Sequence, residues 1–327
     1  MRLAESTVLV TGGAGFIGSH LVDALVALGA RVRVMDDLSN GKTENLEDSR
    51  AHIEFLEADI RDVRACAAAC LGTSVVFHQA ALGSVPRSIA DPAATIAVNV
   101  GGTANVFAAA RDAGVRRVVY ASSSSVYGDS EALPKREGEE GRPLSPYALS
   151  KRMNEELAEV FTRGYGMEIV GLRYFNVYGP RQDPNGPYAA VIPRFFEASL
   201  RGEEVTIYGD GEQSRDFTFV ADAVAANLMA AESPAESCGA AYNVGGGERT
   251  TVNALARLVS AAAGCALAPR HESPRPGDVA HSLADLTRVR AALGYVPRVG
   301  LAQGLERARA HYAVAAAAAG STAKESS

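Results

Sequence analysis

A short apolar run, Thr7-Val8-Leu9-Val10, passes without a spacer into Thr11-Gly12-Gly13-Ala14-Gly15-Phe16-Ile17-Gly18. Gly13, Gly15 and Gly18 fit the G-x-G-x-x-G spacing, which permits a tight turn, close backbone approach to a pyrophosphate and packing of a helix on the strand. The pattern predicts a helix from about Phe16 to Leu28, whose first amides face that anion. The next strand, Arg31-Val32-Arg33-Val34-Met35, ends on Asp36 and Asp37. A carboxylate there accepts hydrogen bonds from an adenosine ribose and repels a 2′-phosphate, so the reading is NAD over NADP. Strand, glycines, helix, strand and acid in this order constrain the fold more than any other stretch of the chain.

The same alternation continues. Ile53-Glu54-Phe55-Leu56 leads to Ala58-Asp59-Ile60, where Asp59 either accepts from an adenine amino group or caps the helical segment from Arg61 to Cys70. Val75-Val76-Phe77-His78 is followed by Gln79-Ala80-Ala81, small enough to let the chain pass close under a dinucleotide. His78 reads as a packed strand-end residue rather than a catalyst. A long helix from about Asp91 to Ala113 contains Asn99, and the strands Val118 to Ala121 and Glu168 to Arg173 flank a helix that starts at Tyr147. Such alternation specifies an α/β fold, a doubly wound parallel sheet covered on both faces, with ligands at the carboxyl ends of its strands.

After Arg173 the texture changes. Tyr178 to Pro187 is loop by its Gly, Pro and Asn density and opens a smaller C-terminal lobe. The expected division is residues 1–178 as the dinucleotide domain, with the chain returning to it at about 216–246. Residues 179–315 form mainly the substrate lobe, and 316–327 a disordered tail. The net charge of −6 argues against nucleic acid or an anionic membrane as partner. No run of about 18 apolar residues occurs, so neither a membrane span nor a signal peptide is expected. Cys66, Cys70, Cys238 and Cys265 read as ordinary thiols of a reducing cytoplasm, with no metal ligand set.

Two stretches carry chemistry. Ser122-Ser123-Ser124-Ser125-Val126-Tyr127-Gly128 places hydroxyls at the carboxyl end of a strand, and Tyr147-Ala148-Leu149-Ser150-Lys151 opens a helix after Pro146. Tyr147 and Lys151 are neighbours on one helix face. An ammonium beside a phenol favours the phenolate, so the Tyr147 pKa is expected to fall toward working pH, as a general base for an alcohol proton requires. Farther on, Arg215 and Arg275 sit in Gly- and Pro-rich loops, and two arginines so presented suit a diphosphate.

Together the glycine loop, the Ser-rich strand end, Tyr147/Lys151, the segment Leu172 to Pro180 and the Arg-Asp-Phe and Arg-Pro-Gly-Asp loops resemble an extended short-chain dehydrogenase/reductase. Within it, the chain resembles the NAD-dependent nucleotide-sugar epimerase/dehydratase family, from Val8 to about Tyr312. The segments His78 to Ser88 and Arg181 to Gly186 are closest to bacterial UDP-N-acetylglucosamine 4-epimerases. The resemblance implies Ser123, Tyr147 and Lys151 as the catalytic set, and NAD held by Gly12, Gly15, Phe16, Ile17, Asp36, Asp37, Asn40, Asp59, Ile60, Gln79, Ala80, Ala81, Asn99, Tyr147, Lys151 and Tyr174. It implies UDP-sugar contacts from Ser84, Ser123, Ser124, Tyr147, Asn176, Val191, Tyr208, Arg215, Arg275, Asp278 and Ser282. It also implies a homodimer through the helices that contain Asn99 and Tyr147.

Sugar 4,6-dehydratases of the family carry Asp-Glu just before Val-Tyr-Gly, where this chain has Ser124 and Ser125. Serines cannot take a C5 proton, which leaves oxidation at C4 and return of the hydride to the opposite face. The expected reaction is therefore interconversion of UDP-GlcNAc and UDP-GalNAc, with UDP-Glc and UDP-Gal also accepted. Ser282 stands where relatives restricted to the non-acetylated sugars can carry an aromatic. The alternatives are a uronate-type 4-epimerase, a net nucleotide-sugar dehydrogenase or dehydratase, and a catalytically silent NAD-sensing scaffold that would not need the Tyr-Lys pair.

Overall fold

Seven apolar runs become the strands of one sheet: β1 (Thr7–Thr11), β2 (Arg31–Asp36), β3 (Ile53–Glu57), β4 (Val75–His78), β5 (Arg117–Ser123), β6 (Glu168–Tyr174) and β7 (Ala240–Val244). All pair parallel, in the order β7-β6-β5-β4-β1-β2-β3. The reversal of strand order between β1 and β4 is the switch point at which sheets of this kind take ligands. The computed structural model describes residues 3–183, 190–266, 268–273 and 281–325. It divides into two units, the first comprising Met1–Tyr174, Ala221–Val244 and Asp285–Val296, the second Phe175–Val220, Gly245–Ala284 and Pro297–Ser327. The return at Asp285–Val296 is announced by no turn signal in the sequence.

In the first unit, helices α1 (Phe16–Ala27), α2 (Val63–Cys70), α3 (Pro92–Asp112) and α4 (Pro146–Tyr165) connect successive strands. Asp62, not Asp59, caps α2, its carboxylate accepting from the amides of Arg64 (2.8 Å) and Ala65 (3.2 Å). Asp59 turns instead to Arg61, accepting from its amide at 2.7 Å and from Nε at 2.8 Å. α3 is apolar and long enough to cross a membrane by composition, yet Val106, Phe107 and Ala110 place it in the core of the unit. The core lies where α2, α3 and α4 cover the sheet face. Phe107, 0% exposed, meets Tyr120 and Phe161 edge-on at 5.8 and 5.6 Å. Cys66 and Cys70 are free and buried there, and burial pushes their thiols up to about 11 and about 12, the condition of inert packing residues.

The second unit is built from short strand pairs and three helices. Val177–Tyr178 pairs parallel with Thr218–Phe219, Glu204–Tyr208 parallel with Ala268–Glu272, and Ser214–Asp216 antiparallel with Arg249–Thr251. Helices Val191–Arg201, Val252–Ala263 and Leu301–Glu325 supply its apolar faces, with Phe196 stacked on Tyr312 at 4.8 Å. The last helix runs to Glu325, past position 316 where a disordered tail was expected. The alanine-rich stretch at 313–319 carries it on, because alanine loses least on entering a helix.

Removing the Phe107 ring leaves a cavity at the meeting of three helices. Phe107→Ala should cost about 3–5 kcal/mol of unfolding free energy, measured by urea denaturation.

Candidate active site

The glycine loop leaves β1 with Gly12 at φ +68°. A Cβ on Gly12 would lie 2.6 Å from the Ala80 amide nitrogen, so only glycine lets this loop pack against Gln79-Ala80. Gly12 thus demands glycine by its φ, and Gly18 does so by contact, since a Cβ there would lie 2.1 Å from the Gly12 carbonyl oxygen. Gly15 stands as the N-cap of α1 with no side-chain cap, and Phe16 and Ile17 open the helix. Backbone that a Cβ would block, followed by a helix start without a side-chain acceptor, fits a pyrophosphate.

Asp36 closes β2 and is 6% exposed. Its Oδ2 accepts from the Ala14 amide and its Oδ1 from the Leu38 amide, both at 2.9 Å. Burial raises its carboxyl above the ordinary value, against these two hydrogen bonds. Asp36 therefore locks the glycine loop to the end of β2, in addition to any ribose contact expected of it. Asp37 points outward and accepts from the Ser39 amide at 3.0 Å and its hydroxyl at 2.6 Å. Asn40 accepts from Arg87 Nη1 at 2.9 Å, and Ile60 is buried just beyond β3.

At the end of β4, His78 is buried between the hydroxyls of Thr11 (2.7 Å) and Thr103 (2.9 Å). Desolvation first, and the nearby Lys151 charge second, pull it down to about 3, so it stays neutral and structural. Gln79, Tyr174 and Asn227 close a triangle. The Tyr174 hydroxyl donates to Gln79 Oε1 (3.2 Å), Gln79 Nε2 donates to Asn227 Oδ1 (3.0 Å), and Asn227 Nδ2 donates to the Tyr174 oxygen (2.7 Å). Ala80 and Ala81 follow directly. Asn99, expected as a cofactor ligand, also has a place in the fold. It is 0% exposed in a π-helical turn, Ala97–Gly102, and its amide is spent on the Leu82 backbone (2.8 and 3.2 Å) and the Ser150 hydroxyl (3.1 Å). Its role here is to pin the loop after β4 to α4. Ser84 caps the short helix Val85–Ala90 by accepting from the Arg87 amide at 3.2 Å.

The residues expected to be catalytic come together where β5 ends against α4. Ser123 ends β5 and accepts from the Ser125 amide at 3.1 Å, and Ser124 begins the turn that follows. Ser145 caps α4 by accepting from the Ala148 amide at 3.1 Å, with Pro146 in the first turn as its sequence position predicts. Lys151, 3% exposed, donates from Nζ to the Ala121 carbonyl at 2.8 Å and lies 5.9 Å from the centre of the Tyr147 ring. Burial lowers the Lys151 ammonium to about 8, with the Glu155 charge opposing. The expected fall of the Tyr147 pKa is not what the protein alone produces. Burial raises the phenol, and only the Ser123 hydrogen bond works the other way. The phenol has the Ser123 hydroxyl as hydrogen-bond partner, with the Lys151 ammonium 5.9 Å from the centre of its ring.

In the second unit, Arg215 lies in a strand and not in a loop, opposite Thr250, with Nη1 donating to the Ser214 carbonyl at 3.0 Å. The ladder hydrogen bonds with Arg249–Thr251 override the local glycine-rich turn signal. Asp216, beside it, is 0% exposed and accepts from the amides of Gly246 (2.7 Å), Gly247 (3.1 Å) and Ala284 (3.0 Å). One carboxylate thereby ties the Arg215 strand to the segment carrying Ser282. Ser282 is 8% exposed, and its hydroxyl has no partner among the described residues. Asn176 sits at φ +35° and donates to the Asp216 carbonyl at 2.8 Å. Tyr208 ends its strand, and Val191 begins the helix Val191–Arg201. Arg275 and Asp278 lie outside the described residues. The linear pattern gives no sign of Asn227 or of the Asp216 tie. Glu155, which grips Arg173 beneath the catalytic set, carries one signal: its place four residues beyond Lys151.

Comparison with known proteins shows the family. The model of the NAD dependent epimerase/dehydratase family matches residues 8–245. A UDP-glucose 4-epimerase of Mycolicibacterium smegmatis is 43% identical over 303 residues, covering 91% of this chain and 96% of the relative. A crystal structure of Thermotoga maritima UDP-glucose 4-epimerase with UDP-glucose superposes with a TM-score of 0.89 at 40% identity, covering 94% of this chain and 99% of that one. A UDP-N-acetylglucosamine 4-epimerase from Methanobrevibacter ruminantium, in complex with UDP-N-acetylmuramic acid, superposes with a TM-score of 0.90 at 38% identity, covering 95% and 99%.

Burial lifts the Asp216 carboxyl from 3.8 to about 6. The folded chain then holds a proton that the unfolded chain releases between those values, so this group lowers stability as pH rises from about 4 to 6. Asp216→Asn should remove that slope, worth roughly 3 kcal/mol at most, in urea titrations at pH 4 and pH 6.5.

Proposed function

Because the chain belongs to the NAD-dependent epimerase/dehydratase family, we propose that it interconverts UDP-N-acetylglucosamine and UDP-N-acetylgalactosamine and also accepts UDP-glucose and UDP-galactose. The enzyme is an isomerase, an NAD-dependent UDP-sugar 4-epimerase. The observation that carries the reaction type is the Ser123, Tyr147 and Lys151 set followed by Ser124 and Ser125, which supplies a base at O4 and no acid or base for elimination.

NAD, when bound, supplies the acceptor and donor of the C4 hydride. The chain's own residues do the proton work. Tyr147 takes the O4 proton and later returns it, Ser123 holds the phenol and hydroxyl oxygens in line, and the Lys151 charge favours the phenolate. Ser84, Ser124, Asn176, Val191 and Tyr208 are assigned to the UDP-sugar, with Arg215 and Arg275 on the diphosphate and Asp278 beside them. Gly12, Gly15, Phe16, Ile17, Asp36, Asp37, Asn40, Asp59, Ile60, Gln79, Ala80, Ala81 and Tyr174 are assigned to NAD, with Lys151 on its nicotinamide ribose.

The N-acetyl preference rests on Ser282, a small buried residue with an unmatched hydroxyl at the position assigned to the sugar wall. A serine leaves room for a 2-acetamido group and offers it a hydrogen-bonding partner. The proposal includes a homodimer through α3 and α4, supported by exposed Ile89, Leu149 and Val160 on and beside those helices, and the cytoplasm as compartment.

Chromatography of products from UDP-GlcNAc, UDP-Glc and UDP-GlcA tests the reading, with inversion of the first two expected and conversion of the uronate alone contradicting it. Tyr147→Phe should lower kcat by about 10²–10⁴-fold in the same assay. Ser282→Tyr should depress turnover of the N-acetyl sugars while sparing UDP-galactose; equal loss on both would remove Ser282 as the gate.

A further inference from the structure

Glu155 lies one helical turn past Lys151, which lies one turn past Tyr147, so the three share a face of α4. Both oxygens of its carboxylate are engaged, and the side chain is 11% exposed. Oε1 accepts from the Ser122 hydroxyl at 2.5 Å and from Arg173 Nε at 2.8 Å, while Oε2 accepts from Arg173 Nη2 at 2.8 Å. Ser122 directly precedes Ser123. The bidentate pair thus fastens the catalytic face of α4 to the ends of both β5 and β6.

Glu155 is part of a wider ionic group. Arg173 is shared with a second carboxylate, Glu140, and also donates to the Tyr127 hydroxyl at 3.0 Å, which in turn donates a hydrogen bond to Asn243 Oδ1 at 2.7 Å. Glu140 has a second guanidinium partner in Arg152 Nη1 at 3.7 Å, whereas Glu155 has Arg173 alone and lies one turn from the Lys151 ammonium on α4. The other groups facing Lys151 are Tyr147 on its own helix, the Ala121 carbonyl and Ser122–Ser123 on β5, and His78 on β4, which burial keeps neutral.

We infer that Glu155 is a positioning residue for proton transfer: it sets Ser123 and the Tyr147/Lys151 face in one frame, and it holds the Lys151 ammonium in its charged form. This rests on the epimerase reading above. Desolvation works against that ammonium, and Glu155 is the charge that opposes it. With the carboxylate neutralised, the lysine loses its proton at lower pH, and the phenolate loses its cation in the same range. A role confined to packing would lower stability and leave the pH profile where it was.

The test is kcat and KM for UDP-galactose between pH 6 and 10, on NAD-loaded wild type, Glu155→Gln, Glu155→Asp and Glu140→Gln. The alkaline limb of kcat in Glu155→Gln should move to lower pH by about one unit, with KM within about two-fold of wild type. Glu155→Asp keeps the charge and should keep the limb, at reduced kcat because the shorter chain misses Ser122 or Arg173. Glu140→Gln removes charge one guanidinium away and should move the limb the same way by less, which preserves the test if Glu155→Gln does not fold. An unmoved limb in the glutamine variants, or equal movement in Glu155→Asp, overturns the inference. Wild type that inverts no UDP-sugar overturns the functional reading instead.

Discussion

An ammonium with 3% of its surface exposed is expensive to keep charged, and the arrangement around β5 and α4 exists to keep one. Lys151 has a backbone carbonyl at 2.8 Å, a phenol beside it and a carboxylate one turn away. Water would do the same job, but water at this point would also screen the field that the phenol needs. The protein therefore replaces solvent by fixed dipoles and the carboxylate of Glu155, itself held by Arg173 and Ser122. Glu155 on α4 thereby meets Ser122 on β5 and Arg173 on β6, so the site depends on the alignment of three elements far apart in sequence.

The parallel sheet supplies that alignment. Because every strand runs the same way, the glycine loop, the Gln79-Ala80-Ala81 segment, Ser123 and Tyr174 all emerge at one end. Gly12 can approach Ala80 because neither carries bulk at the contact, and Asp36 ties that approach to β2 through the Ala14 amide. The second unit uses the same device once more: Asp216 spends a buried carboxylate on three amides so that the Arg215 strand and the Ser282 segment are held together.

Periodicity made the strands, the glycine loop and the Tyr147/Lys151 spacing legible, because each is a local pattern with a local cause. The failures are of the opposite kind. Arg215 reads as loop from its neighbours, but a ladder with Arg249–Thr251 makes it strand. The bonds of Asn99 to Leu82 and Ser150 have no linear signal. Tyr147 beside a lysine reads as an acidic phenol, but desolvation outweighs the Ser123 hydrogen bond that opposes it. Asn227 and the Asp216 tie have no linear signal, since their partners are strangers in sequence. Local chemistry is visible in a sequence; the tertiary hydrogen bonds that redirect it are not.

The central claim is that Tyr147 moves a proton while the C4 hydrogen of the sugar leaves and returns without exchange. Running the reaction on UDP-galactose in deuterium oxide, and reading the product by NMR with absorbance followed at 340 nm, tests it directly. The account predicts inverted sugar with no deuterium at C4 or C5 and no accumulating NADH. Deuterium on either carbon, or steady growth at 340 nm, would contradict it.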